Sequence, residues 1–285
     1  VENVDGMPKG LYPAVRDAQA LADWAAETNR PLHVILEGSG YKGPSSATLN
    51  MRGLGTDSTI IEAPQISVVI GQDWDFAETL QGQEQKYAAV GTALGCMARQ
   101  PVNFNIGEVE TMRLTDATRG LWVEGGLSNH LKIKDLESDL NTLDTKGFVF
   151  GEYYGGNIVF NDDHNCTPEI VDADGNMNEC SIALSRTNAK IIRELYKAYL
   201  PKLKSTYPVE ADGSLSTGMV KYFEGIGDAV FSRMQKNSEI SQGTTTVDET
   251  SNLLYGDKTL KISYNWVPTG TVRYIEGVIN IKTSI

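Results

Sequence analysis

The clearest alternation of apolar and polar positions lies in the last third of the chain, residues 180–285. In the segments RTNAKIIRELYKAYL and SLSTGMVKYFEGIGDAVFSRMQ, apolar residues recur at steps of three and four, which is the period of an amphipathic helix. The apolar positions are Ile192, Leu195, Tyr196, Tyr199 and Leu203 in the first segment and Met219, Tyr222, Phe223, Ile226, Val230 and Met234 in the second. We predict two helices that pack together, the second one capped by the hydroxyl of Ser216.

Two strand patterns follow these helices. In TLKISYNWVP the apolar residues Leu260, Ile262, Tyr264 and Trp266 alternate with polar ones, as expected when one face of a strand is buried. The chain then continues as TVRYIEGVINIKTSI, which is apolar on both faces. Val272, Tyr274 and Val278 lie on one side, and Ile275, Ile279 and Ile281 lie on the other.

A terminal strand that is apolar on both faces has two interpretations. It can be the central strand of a sheet within the chain, because buried strands are continuous apolar runs. Alternatively it is exchanged between subunits, with backbone hydrogen bonds supplying affinity and alternate side chains supplying specificity. The second interpretation makes a subunit interface of Val272, Tyr274, Ile275, Val278, Ile279 and Ile281.

The first half of the chain alternates between helix and strand patterns. We predict helices at residues 14–28, 84–98 and 128–140, and strands at residues 32–37, 66–73, 102–109 and 147–155. This alternation is typical of an α/β layer arrangement. The predicted fold class is therefore α/β plus α+β, with an N-terminal α/β sandwich domain at residues 1–160 and a C-terminal α+β domain of two helices and β-strands at residues 161–285.

Composition narrows the function classes. A net charge of −12 disfavours nucleic acid as a partner, because phosphate binding requires an excess of Lys and Arg. No apolar run approaches the ~20 residues that cross a bilayer, so we expect no membrane insertion. The three cysteines have no CxxC spacing, which favours reduced thiols in a cytoplasm. The chain begins with neither a signal sequence nor an initiator methionine, and we expect it to be a fragment.

The segment NDDHNCTPEIVDADGNMNECS is predicted to be an exposed connection, and it holds the main candidates for chemistry. Asp162, Asp163, His164 and Cys166 are metal-ligand types, but no second pair of ligands stands at a zinc spacing. The oxygen-bearing residues 172–179 resemble a calcium loop with its glycine misplaced, so a polar turn is favoured. His33 is predicted to be a core or sheet residue, and His130 a surface or capping group. We predict no metal and no cofactor, and a metal-dependent hydrolase that uses Asp163 and His164 remains the enzyme alternative.

Several segments of the second half occur in a distinctive order. GFVFGEYYGGNIVFNDDHNCT precedes the helix SRTNAKIIRELYKAYL, and the polar loop TTTVDETSN precedes LKISYNWVPTG and the terminal TVRYIEGVINI. This order, above all the ending VP.G...YIE, resembles the C-terminal domain of contractile phage tail sheath proteins and their relatives in prophages. The resemblance covers residues 145–285 well and the earlier part only loosely.

The resemblance implies a structural subunit and not an enzyme. Sheath proteins polymerise helically around a tail tube and shorten to drive it through a cell envelope, without nucleotide hydrolysis. In that family, strands from the terminal arms of neighbouring subunits complete the C-terminal sheet. The expected partners are other copies of this chain and a tail tube protein, in a virion tail assembled in the host bacterial cytoplasm. A monomeric binding module on a cell surface is the third alternative, and it would require a secreted precursor.

Overall fold

The computed structural model describes residues 3–4, 7–8, 10–43, 45–53, 62–279 and 281. The helices are α1 (Leu11–Glu27), α2 (Trp74–Glu78), α3 (Val90–Arg99), α4 (Glu137–Thr145), α5 (Ile182–Tyr199) and α6 (Thr217–Lys236). The strands are β1 (Asn3–Val4), β2 (Met7–Pro8), β3 (Val34–Glu37), β4 (Ile66–Val69), β5 (Gly71–Asp73), β6 (Gly125–Leu127), β7 (Leu131–Lys132), β8 (Phe148–Val149), β9 (Gly151–Tyr154), β10 (Asn157–Phe160), β11 (Gln242–Val247) and β12 (Ile262–Val267). Within these ranges, no helix combines the length and apolar character needed to cross a membrane.

A small parallel sheet, β3-β4-β8, organises the first half of the chain. Every residue of β4 is buried, as the sequence predicts for residues 66–73. Val68 belongs to one apolar cluster and its neighbour Val69 to another, and Phe148 and Val149 of β8 divide in the same way. Because successive side chains of a strand point to opposite faces, both faces of this sheet are covered. A mixed α/β arrangement of small sheets is confirmed.

The second half is built on the packing of α5 against α6. Ile191 and Leu195 of α5 share an apolar cluster with Val230, Phe231 and Met234 of α6. The hairpin of β11 and β12 lies against these helices, with Tyr264 and Trp266 packed on the cluster. The Ser216 hydroxyl accepts a hydrogen bond from the Met219 backbone N–H at 3.4 Å. The predicted helix pair, its N-cap and the alternation in β12 are all confirmed.

Small residues form the buried face of the C-terminal half of α1, and the buried face of α5 matches the predicted stripe at Leu195 but not at Tyr196 or Leu203. Leu21 and Trp24 of α1 are exposed, whereas Ala22 and Ala25 are buried. In α5, likewise, Ile191 is buried while Tyr196 is exposed, as is Leu203 just beyond the helix. The small side chains of α1 let this helix approach its neighbours closely, and a search for large apolar residues does not find them.

Two N-terminal segments and one C-terminal segment differ from their predicted structures. Residues 102–109 form turns in place of a strand, because the Asn105 side chain accepts from the Gly107 backbone N–H at 2.7 Å and so favours a local turn. Residues 128–140 do not form one helix, since His130 adopts a left-handed φ of 66° and helix α4 begins only at Glu137. The polar segment at residues 242–247, part of which was predicted as a loop, is strand β11, and its threonines are β-branched.

His33 connects the first half of the chain to α5. Its Nδ1 lies 3.3 Å from the Ser185 Oγ and its Nε2 lies 3.1 Å from the Ser67 Oγ. Burial, and then the charge of Arg186, lowers the pKa of His33 to about 3. The prediction of a structural histidine is consistent with this enclosed position between two serines.

The lowered pKa of His33 predicts a stability that falls in acid. Below pH 6.5 His33 is protonated in the unfolded chain but stays neutral in the folded chain until the pH approaches 3. The contribution of His33 to the free energy of unfolding is therefore complete above pH 6.5 and decreases toward pH 3. The expected slope from this group is about 1.4 kcal/mol per pH unit in the free energy of unfolding. Urea denaturation of the wild type and of His33→Gln at pH 7, 6 and 5 measures it. Equal slopes for the two proteins would contradict this assignment.

Candidate assembly interface

We define the C-terminal arm as residues 268–281, and its described residues, 268–279 and 281, pair with no described strand. Its six predicted interface residues, Val272, Tyr274, Ile275, Val278, Ile279 and Ile281, are between 77% and 100% exposed. The interpretation as a central strand of the chain's own sheet therefore does not describe residues 272–279. Asn280 and residues 282–285, which also belong to the predicted strand, lie outside the described residues.

The first residues of the arm are tied to the surface beneath them. The Ser241 hydroxyl donates to the Pro268 carbonyl at 2.7 Å. The Asn103 side-chain amide donates to the Thr269 Oγ1 and to the Ser238 carbonyl, both at 3.0 Å. These bonds fix where the arm leaves the hairpin of β11 and β12.

Arg273 anchors the arm to two buried aspartates. Its Nε lies 2.8 Å from the Asp162 Oδ2, and one terminal nitrogen lies 3.3 Å from the Asp162 Oδ1 and 3.8 Å from the Asp163 Oδ1. Both aspartates are buried. The guanidinium fork suits this pair, because it presents several N–H groups in one plane. We call Arg273, Asp162 and Asp163 the arm clamp.

Further hydrogen bonds hold the aspartates of the arm clamp in place. The Asn105 side-chain amide donates to Asp162 at 2.6 Å and to Asp163 at 3.0 Å. The Asp163 Oδ2 accepts from the Ala183 backbone N–H at 2.9 Å, in the first turn of α5. The clamp thus joins the end of β10, the start of α5 and the arm.

The two carboxyl groups of the clamp differ in their affinity for protons. Burial would raise the pKa of Asp162, but the charges of His164 and Arg273 and the hydrogen bonds from Asp163 outweigh it, and the pKa lies below its usual value. Burial and the neighbouring Asp162 charge hold the pKa of Asp163 well above its usual value. Burial would also lower the pKa of Arg273, yet the two carboxylates raise it. The arrangement favours one carboxylate paired with one guanidinium.

The segment predicted to be an exposed connection is buried over residues 162–167, and only residues 169–177 are exposed. Its polar groups are buried because they have internal partners: His164 Nε2 lies 2.9 Å from the Asp144 Oδ1, and Cys166 belongs to an apolar cluster. In the exposed part, Asp172 accepts from the backbone N–H groups of Asp174 and Asn176, which is the polar turn favoured by the sequence. No group of three or more His, Cys, Asp or Glu among the described residues is arranged to hold a metal ion. The geometry therefore lends no support to the metal-dependent hydrolase.

The hairpin of β11 and β12 has one covered edge and one open edge. The outer edge of β11 is covered by α6, because the Thr245 N–H donates to the Asp228 Oδ1 at 2.9 Å and the Val247 N–H donates to the Glu224 Oε1 at 3.3 Å. Gly227 of α6 permits this close approach, since a Cβ there would lie 2.2 Å from the Thr245 Oγ1. Among the described strands, β12 pairs with β11 alone.

The open edge of β12 exposes backbone groups at alternate residues. The Asp248 backbone N–H donates to the Lys261 backbone carbonyl at 2.9 Å, which makes these two residues a hydrogen-bonded pair of the antiparallel ladder. By the same alternation, Ser263, Asn265 and Val267 face β11, whereas the backbone groups of Ile262, Tyr264 and Trp266 point away from it. A further strand can pair with these three residues.

Sequence reasoning missed the residues that organise this interface. Arg273 is the one Lys or Arg in the sequence of residues 268–281, and that isolation is the signal that could have identified it as an anchor. Asp228 and Glu224 are charged residues four apart on α6, a spacing that places both on one face. Nothing in the sequence shows that this face covers a strand edge.

Comparisons with known proteins give a family and a fold. A family model described as "DUF2586, N-terminal domain" matches residues 12–157. The structure is similar to a chain in the "Cryo-EM structure of the anti-feeding prophage (AFP) baseplate, 6-fold symmetrised", with a TM-score of 0.58 and 11% sequence identity. The match covers 95% of this chain and 65% of that one, so this chain spans about two thirds of its neighbour's length. No curated protein matches. At this identity the likeness establishes a shared fold.

Proposed function

This chain belongs to the DUF2586 family, and from that membership and the geometry of its C-terminal arm we propose that it is a structural subunit of a contractile tail or a related injection particle. Within that class, the proposal is a tail sheath subunit that polymerises helically around a tail tube. The order of its C-terminal elements, which resembles that of sheath proteins, supports this choice. The shared fold with a chain of a prophage baseplate supports the wider class.

The observation that carries the proposal is the exposed apolar arm. Fully burying one large aliphatic or aromatic side chain stabilises a protein by about 1.5–3 kcal/mol, so six such side chains left in water favour association strongly. Contiguous exposed apolar surface of this kind marks an interaction site. The occupant that it fits is a second copy of this chain.

The strand edges of the hairpin provide a place for the arm. In this proposal, the arm of one subunit pairs with the open edge of β12 in its neighbour, and the covered edge of β11 excludes it from the other side. Alternate residues of the arm then lie against the helix side of the sheet, beside Tyr264 and Trp266. A joining operation that repeats without closing produces a helical tube.

Contraction in this proposal uses stored assembly energy. The extended lattice is metastable, and its shortening buries more surface between subunits while the exchanged strands keep neighbours linked. The tail tube protein is the second partner, and the virion tail is the place of action. Neither a nucleotide nor a metal takes part.

Electron microscopy of the full-length protein tests the proposed function. We expect hollow cylinders with a helical repeat, at concentrations at which the protein sediments as a polymer. Incubation with the cognate tail tube should lengthen or order the cylinders. Protein that stays monomeric or forms closed rings in every condition, with or without the tube, would contradict the sheath assignment.

A further inference from the structure

We propose that the arm clamp divides the C-terminal arm into a fixed root, residues 268–273, and a transferable strand, residues 274–281, and that it thereby sets the direction in which the strand leaves the subunit. This inference rests on the proposed function, since it assigns a positioning role within strand exchange. It also revises the interface, because Val272 then lies in the root and not in the exchanged strand.

Among the described residues of the arm, the hydrogen bonds and ion pairs end at Arg273. Pro268 is hydrogen-bonded to Ser241, and Thr269 is hydrogen-bonded to Asn103. Arg273 forms an ion pair with Asp162. Tyr274, the next residue, is 85% exposed, and exposure reaches 100% at Ile281. Within the described arm, the change from anchored to exposed therefore falls between residues 273 and 274.

The planar guanidinium of Arg273 fixes the orientation of the root. A guanidinium that contacts Asp162 through two nitrogens fixes both the distance and the orientation of its side chain. A lysine ammonium would keep the charge but would act as a point contact without orientation. The raised pKa of Arg273 and the lowered pKa of Asp162 agree with a persistently charged pair.

The clamp also connects the strand to both halves of the chain. Asp162 and Asp163 follow β10 directly, and Asp163 accepts from backbone N–H groups of Ile182 and Ala183 through its carbonyl and its carboxylate. A force on the transferable strand is therefore transmitted through the clamp to the end of β10 and the start of α5 together. A sheath subunit that moves as one body during contraction needs such a link.

Distances between spin labels in the isolated subunit test the clamp. The three native cysteines are buried, so one label at Thr271→Cys or Val278→Cys and a reference label at Lys197→Cys can be placed selectively. In an otherwise wild-type chain we expect a narrow distance distribution from residue 271 and a broad one from residue 278. Arg273→Gln should remove the narrow peak at residue 271 and leave the distribution at residue 278 broad.

Three further variants separate loss of the clamp from other effects of substitution. Asp162→Asn combined with Arg273→Gln removes both charges and avoids an unpaired carboxylate, and it should also remove the narrow peak. Arg119→Gln, which breaks an ion pair of an exposed arginine with Asp116, should leave the peak intact. Arg273→Lys should broaden the peak in part. A narrow peak that survives in both clamp variants would overturn the proposal.

The assembled state supplies the second readout. Clamp variants should still form intersubunit contacts through residues 274–281 but should lose the uniform helical repeat in electron micrographs, with melting temperatures measured in parallel. Variant tubes with an unchanged repeat would overturn the positioning role. Wild-type protein that never polymerises would contradict the proposed function, whereas the label distances in the monomer decide on the clamp independently.

Discussion

A chain that ends at Arg273 is expected to fold normally and to lose the ability to polymerise. The large apolar side chains described beyond this residue are 85% exposed or more, so their removal takes no contact from the core. Arg273 remains to neutralise Asp162. The melting temperature should therefore stay close to that of the intact chain.

The loss of polymer should be nearly complete. Each large apolar side chain that is buried in an interface contributes about 1.5–3 kcal/mol, and every 1.4 kcal/mol changes an association constant about tenfold. Removing five such side chains with their backbone bonds raises the concentration needed for assembly by several orders of magnitude. Sedimentation velocity across a concentration series measures it.

A matched truncation separates the transferable strand from the chain end. A chain that ends at Ile281 keeps all six apolar residues and should polymerise like the intact one. Cutting before Val272 is a less specific test, because it also removes Arg273 and leaves two buried aspartates without their cation. Tubes of normal length from the chain that ends at Arg273 would rule out strand addition through this arm.

The fold of the second half was predictable to the extent that large apolar residues define it. Phe223, Val230 and Met234 recur on one side of α6, and Ile262, Tyr264 and Trp266 alternate in β12, so periodicity identified both elements. The Ser216 cap followed from a short-range rule. Each of these features depends on residues that are near one another in sequence.

Features that depend on contacts between residues far apart in the sequence could not be predicted from it. The helix faces that contain Ala22 in α1 and Ala189 in α5 are buried by close approach of other elements, which no local pattern reveals. Asp162, Asp163 and His164 resemble metal ligands in sequence, and only the fold brings Asn105, Asp144 and Arg273 to satisfy them. Likewise, the threonines of β11 form a strand because β12 pairs with them.

The sequence of the arm does not show which chain supplies its strand neighbours. A strand that is apolar on both faces has the same pattern whether its neighbours belong to the same chain or to another one. In the structure, residues 272–279 have no strand neighbour, and the edge of β12 is open within the same subunit. In the proposed assembly, these two surfaces meet between subunits.

Engineered disulfides between the arm and β12 test whether these two surfaces meet between subunits. Ser263 and Thr246 are directly opposite each other in the hairpin and share its exposed face, but only Ser263 belongs to β12, the strand whose outer edge is open. An added strand lies ≈ 4.8 Å from β12 and about twice that distance from β11, and only the shorter separation is within disulfide reach. The native cysteines are buried and should not compete.

The most direct measurement is therefore oxidation of assembled subunits that carry Ser263→Cys with one cysteine placed in turn at residues 274–279, followed by electrophoresis without reductant. We predict a ladder of covalent multimers for the arm positions in register with Ser263, and none when Thr246→Cys replaces Ser263→Cys. Equal ladders from the two partners, or cross-links confined within single chains, would contradict strand exchange between subunits.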